Sequence, residues 1–190
     1  MKTINLLYVL CLSIVISGCQ QTTDFNQLPR ELKIHTTVSN TSGNFHPSKS
    51  DNFHWLEPIQ LYPASLEHVN SQIPLITHEL NQQLQHKGYQ LSNMAQASRF
   101  YLRGAIVYGN ELHDKKLQQI FGIEPGLGSD DDNYPRGSLL LAITKPSGLT
   151  VWRGAMQIFA EPTLADEIKK QRISLAIASM LSNLPNIEAD

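Results

Sequence analysis

Cysteine is almost missing from this chain. Of 190 residues only Cys11 and Cys19 carry a thiol, and Cys11 sits inside an apolar run near the start. Beyond that run Cys19 stands alone. Once its sulfur is modified, the chain can form no internal disulfide, thiol nucleophile or cysteine metal site. Excess charge is missing too: fifteen basic side chains face seventeen acidic ones, with no long run of either sign. Nucleic-acid phosphates demand a basic face and anionic lipids a basic cluster, so neither kind of electrostatic capture is expected.

Signatures of catalysis are equally scarce. No serine stands in a Gly-x-Ser-x-Gly elbow, and Gly126-x-Gly128 lacks the third glycine and following helix of a dinucleotide loop. The seven histidines are His35, His46, His54, His68, His78, His86 and His113. His78-Glu79 lacks the second histidine of a zinc-protease helix, and His86 is eight residues on, not the four that helical zinc ligands need. Asp130, Asp131 and Asp132 are contiguous, whereas a calcium loop alternates its ligands around a glycine and ends on a glutamate. These read as solvated side chains. No metal, no cofactor and no enzymatic activity is expected, although a triad dispersed through the sequence would show only in geometry.

What is present begins with an address. Lys2 precedes roughly ten apolar positions, and Ile16-Ser17-Gly18 then runs into Cys19. That layout is an export signal. It is too short to span a bilayer, which needs about 20 apolar residues. It resembles a bacterial lipobox, which implies cleavage before Cys19 and lipid on its thiol. Gln20, rather than aspartate, follows, and in Gram-negative bacteria that resemblance implies onward transport to the outer membrane. A single myristoyl-length chain holds a protein only marginally, whereas the two or more chains of such a cysteine hold it stably. Residues 1–18 are therefore expected to be removed and 19–30 to form a lipidated polar tether. Residues 31–190 would be one domain with a full hydrophobic core.

Within that domain the hydrophobic periods alternate between two and 3.6. Leu32, Ile34, Thr36 and Val38 alternate with polar residues as a half-buried strand does. Asn40 to Asn52 reads as a loop, and Phe53 to Leu56 as a short strand stopped by Pro58. Ile73, Ile76, Leu80 and Leu84 mark one face of a helix to about Lys87. Pro74 is tolerable only in its first turn, and Gly88 sits where a left-handed residue ends a helix. Phe100, Leu102, Ile106 and Tyr108 share one parity of a strand, with Gly104 marking a bulge or a close neighbour. Leu139 to Ile143, the turn at Lys145 to Gly148 and Val151 to Phe159 form a hairpin. On its return strand Trp152, Met156 and Ile158 share one face, and Val151, Arg153 and Gln157 the other. Thr163 with Asp166 resembles a capping box opening a helix to about Leu181, whose buried side carries Ile173, Ile177, Met180 and Leu181. The pattern predicts an α+β, two-layer domain: a mostly antiparallel sheet of about five strands with two main helices packed on one face.

Phe53-His54-Trp55-Leu56, the helix closing on Gly88-Tyr89, the strand from Phe100, Gly137 to Leu141, Val151-Trp152-Arg153-Gly154 and Leu184-Pro185 follow one another in order. Together they resemble the domain-of-unknown-function-4136 family of bacterial envelope lipoproteins, over roughly Phe53 to Pro185. The resemblance implies the fold and the envelope address and brings no established reaction. The leading expectation is a non-enzymatic outer-membrane lipoprotein, anchored by lipid on Cys19, whose periplasmic domain serves envelope structure or contacts an envelope protein. The alternative is a binding module for a small amphipathic or anionic ligand seated where sheet and helices meet. A hydrolase is the third reading. Arg153 is the one candidate contact to a ligand or partner, because a guanidinium on a sheet face can grip a carboxylate or phosphate. A preformed pocket would favour the binding module, a filled core with an exposed apolar patch the structural role, and a histidine bonded to serine or carboxylate in a cleft the enzyme.

Overall fold

The computed structural model describes residues 34–39, 45–62, 67–109, 135–159 and 163–187, with Lys115, Gln118 and residues 121–123 between them. The expected signal, Cys19, the tether and the loop holding Asp130, Asp131 and Asp132 lie outside the described residues.

Seven strands form one sheet: β1 (Ile34–Ser39), β2 (Asn52–Trp55), β3 (Gln60–Tyr62), β4 (Gln90–Leu91), β5 (Phe100–Tyr108), β6 (Arg136–Thr144) and β7 (Thr150–Phe159). The helices are a single turn α1 (Glu67–Asn70) and two longer ones, α2 (Ile73–His86) and α3 (Asp166–Leu181). The strand order is β1-β7-β6-β5-β2-β4, with β3 also paired to β5. The long strands β5, β6, β7 and β1 are antiparallel neighbours, and the short ones join in parallel. This is the expected α+β fold, and α2 and α3 pack their apolar sides on the same sheet face.

Two strands escaped the sequence pattern because they are short. β3 resumes, after the break at Pro58, along the edge of β5 that β2 had started. In the gap Ile59 turns inward, and a Cβ on Gly104 would lie 3.0 Å from Ile59 and 3.2 Å from the Trp55 ring. The glycine is there for close approach.

Two local expectations are corrected. Val151 does not share the face of Arg153. Ile143 pairs with Trp152 and Thr144 with Thr150, so Val151 is an extra residue in a bulge, and it joins the helix-side core. Thr163 does not cap α3: Ala165 occupies the cap position without a side-chain bond, and Asp166 and Glu167 in the first turn favour the helix through its dipole instead.

α2 ends as its sequence requires. Gly88 takes φ +92°, and the chain's C-terminal segment closes over it. Ile187 N donates to the Lys87 carbonyl at 2.8 Å, and the Tyr89 hydroxyl donates to the Pro185 carbonyl at 2.8 Å. Burial pushes the Tyr89 phenol well above its ordinary pKa. Ser174 Oγ donates to Glu79 Oε1 at 2.9 Å and ties α3 to α2, while Trp55 Nε1 donates to Asn81 Oδ1 at 2.8 Å and ties α2 to the sheet.

Candidate functional site

The register of β5, β6 and β7 stacks helix-facing residues in rows across the sheet. One row is Leu102, Ile143 and Trp152; the next is Gly104, Leu141 and Gly154. Then come Ile106, Leu139 and Met156, and last Tyr108, Gly137 and Ile158. The first two rows are filled. The Trp152 ring lies over Gly154, where a Cβ would overlap it and would lie 3.1 Å from Met180 of α3. Beside them Phe53 stacks on Phe100 at 5.1 Å and tilts against Tyr89 at 4.7 Å.

The last two rows are not filled. Between them and the helices lies a cavity of about 480 Å³, within the usual size of a small-molecule site. Its walls are largely apolar: Ile106, Leu139, Met156 and Ile158 from the sheet, Val69 and Ile76 from α1 and α2, and Ile173 from α3. Gly137 leaves a gap in the floor, since a Cβ there would touch nothing within 4 Å. The charged lining residues are Lys169 and Arg172, both cations, and no carboxylate lines the cavity among the described residues. Arg172 is buried, and its Nη2 donates to the Phe159 carbonyl at 3.0 Å, which fixes the guanidinium at the end of β7. Lys169 Nζ lies 3.3 Å from Asp166 Oδ1, but that carboxylate is 98% exposed. Such a pair is weak and easily exchanged.

Arg153 lies on the other side of the sheet. Its register partner on β6 is Ala142, whose partner on β5 is Arg103, so two guanidiniums flank one small residue. Arg153 Nη1 donates to the Gly122 carbonyl at 3.0 Å, and Arg103 faces Glu57 at 3.6 Å. They border a smaller hollow of about 180 Å³ beside a small second core of Ala105, Val107, Ile123, Leu140 and Ala155. The sequence thus placed Arg153 on the correct face, but the large cavity is on the opposite one.

Lys169 and Arg172 were missed. Their signal is the three-residue step from Lys169 to Arg172, which continues through Ile173 and Ala176 along the buried side of α3. Read by residue type alone, two cations on a helix look solvated. Among the described histidines, His46, His78 and His86 are exposed and His54 Nδ1 donates to the Ser92 carbonyl at 2.8 Å. None lines either hollow. The described residues hold no cluster able to bind a metal ion and no helix long and apolar enough to cross a membrane.

No protein-family model and no curated protein matches this chain. Solved structures match in fold. A PDZ domain protein from Parabacteroides distasonis aligns with 83% of this chain and 37% of its own length, with TM-score 0.52 and 10% identity. A PelC dodecamer from Paraburkholderia phytofirmans aligns with 80% of this chain and 99% of its own at TM-score 0.45 and 16% identity. A DUF4136 family protein from Bacteroides thetaiotaomicron aligns with 81% and 97% at TM-score 0.47 and 13% identity. At these identities the likeness is to architecture alone.

Proposed function

We propose that this chain is a non-enzymatic envelope lipoprotein whose domain is a binding module for a small amphipathic, anionic ligand. The observation that carries this reading is the preformed cavity, largely apolar in its walls and cationic in each charged lining residue among those described. Lipid on Cys19 would hold the domain at the outer membrane, on the periplasmic side. The cavity is tested with a neutral, apolar naphthylamine dye that fluoresces when it leaves water. The native chain is expected to take up the dye saturably. Gly137→Leu, which puts a side chain into the gap, is expected to lose uptake while its unfolding midpoint holds or rises. Equal uptake by Gly137→Leu would refute the cavity as the site.

A second reading, contact with an envelope protein, is favoured by Ile168 and Leu175. They lie seven residues apart on one stripe of α3 and are 43% and 56% exposed. If that stripe is a docking surface, Leu175→Glu should remove specific crosslinks formed in membranes by the native chain. Unchanged crosslinks would dismiss it.

A further inference from the structure

Resting on the second reading rather than on the cavity, we propose that the docking partner is a second copy of this chain. The two copies join edge to edge through β1, so that their sheets run on as one and α3 packs beside its own copy. The two sides of the sheet are unlike. On one side the strands are β4, two residues long, and β3, three residues long, and strands that short offer little to pair with. The other edge is β1, six residues in unbroken register with β7. Its sequence, Ile-His-Thr-Thr-Val-Ser, has no proline, lysine or carboxylate, and no bulge interrupts it. The usual guards against edge pairing are therefore missing from it, and Ile34, Thr36, Thr37 and Val38 are β-branched residues that favour a strand. Among the described residues nothing pairs with its outer edge, where every second residue turns its N–H and C=O away from β7.

The helix above this edge fits a second copy. α3 lies over β7 and β1, and α2 covers the β4 end. Ser174 turns toward α2, where it bonds Glu79. A helix advances about 100° per residue, so Leu175 comes round to the side away from α2, which is the β1 side. Ile168 and Ser179 share it, and these three exposed residues carry no charge. Across a two-fold axis a surface meets itself, so a charged stripe would repel its own copy and an uncharged one does not. The spacing also agrees. A helix seated between β7 and β1 lies half a strand spacing inside β1, and a two-fold axis pairing β1 with itself lies half a spacing outside. With strands about 4.8 Å apart, the two α3 axes come about 9.6 Å apart, within the roughly 8–10 Å of packed helices.

The same geometry sets the register. α3 runs opposite to β7, because Arg172 bonds to Phe159 while Met180 sits over Gly154. Leu175, between them, is level with Met156, whose partner on β1 is Thr36. Opposite residues of an antiparallel pair share a face, so the two-fold axis passes between a residue and its own copy. The axis then falls at Thr36, with Ile34 opposite Val38 of the second copy and Leu175 beside its own copy. Fifteen peptide steps separate Cys19 from Ile34, at most about 50 Å when extended. Lipid on Cys19 would hold both copies in one bilayer and raise their effective concentration.

The test is a cysteine scan of the full chain in membranes. Ile34, Thr36, Val38, Leu175 and Met94 are replaced one at a time, oxidised, and compared with the native chain on non-reducing gels. Opposite residues of an antiparallel pair have Cα atoms about 4.5–5.5 Å apart, inside the span of a disulfide. Thr36→Cys is expected to give about tenfold or more covalent dimer than Ile34→Cys or Val38→Cys, whose own copies lie about 14 Å away. Ile34→Cys and Val38→Cys expressed together are expected to crosslink to each other. Leu175→Cys is expected to dimerise through a short bis-maleimide, and Met94→Cys, exposed beyond β4, to stay monomeric. A scan without a peak at Thr36, or equal dimer at all five positions, overturns the proposal. If that happens while Leu175→Glu still removes crosslinks to another envelope protein, the second reading stands with a different partner. If Leu175→Glu changes nothing either, both fail together.

Discussion

The two ends of the helix–sheet interface are built from the same strands and the same helices, yet one is full and the other hollow. At the full end Phe45, Phe53, Tyr89 and Phe100 pack ring on ring, the Trp152 ring fills the space over Gly154, and Gly104 gives room to Ile59 and the Trp55 ring. At the hollow end the walls are mostly aliphatic, with Tyr108 and Phe159 among them, Gly137 supplies no side chain, and cations border the gap. Interiors normally close-pack with few voids larger than a water. A cavity many times that size, beside a core with no such slack, is the contrast on which the proposed binding site rests.

That contrast can be broken by substitution, the largest effects first. Trp152→Ala removes a fully buried ring and should cost about 3–5 kcal/mol in urea unfolding. Met156→Ala, at the hollow end, should cost about 2 kcal/mol, because that side chain already borders empty space and has fewer partners to lose. Equal losses would contradict the difference between the ends. Next come the glycines. Gly154→Ala should destabilise by about 1–3 kcal/mol through overlap with the Trp152 ring. Gly137→Ala should be neutral or gain about 0.5 kcal/mol, since a strand glycine loses more freedom on folding than alanine.

A further effect concerns the clasp over α2. Tyr89→Phe should cost about 1 kcal/mol by losing the bond to Pro185, and it should also change the alkaline limb of stability. Burial raises the Tyr89 phenol in the folded state, so the unfolded chain ionises first, near pH 10. The folded state then binds more protons, and the stability present below that pH falls as pH rises above it. Lys87 works in the opposite sense, because burial lowers its ammonium and the unfolded chain keeps that proton longer. Removing the phenol should therefore flatten the alkaline loss. An unchanged profile in Tyr89→Phe would show that other groups control it.

How much of this was legible in the sequence follows from distance along the chain. The bounds of α2, the end of α3 at Leu181, the β6–β7 hairpin and the burial of Trp152 follow from local period and turn chemistry, and the structure bears them out. Gly104 announced a close neighbour without naming Ile59, which arrives from 45 positions earlier. β3 and β4, at three and two residues, are too short to show a period. The bulge at Val151 needs the partner strand to be visible at all. The cavity is the extreme case, because Val69, Ile106, Met156 and Arg172 come from four different elements. Periodicity marks Ile106 and Met156 as buried, but nothing local says that the space between them is left open. Arg153 attracted notice as a lone cation on an apolar strand, while Arg172 was hidden by its position in a helix of mixed charge.

The most direct measurement compares the two ends in one sample by methyl NMR of the isoleucines and methionines during titration with laurate. Saturable shifts at Ile106, Met156, Ile158 and Ile173, with Ile143, Ile177 and Met180 unmoved, are the expected result. Shifts spread evenly over both sets, or none at either, would contradict a ligand site at the hollow end.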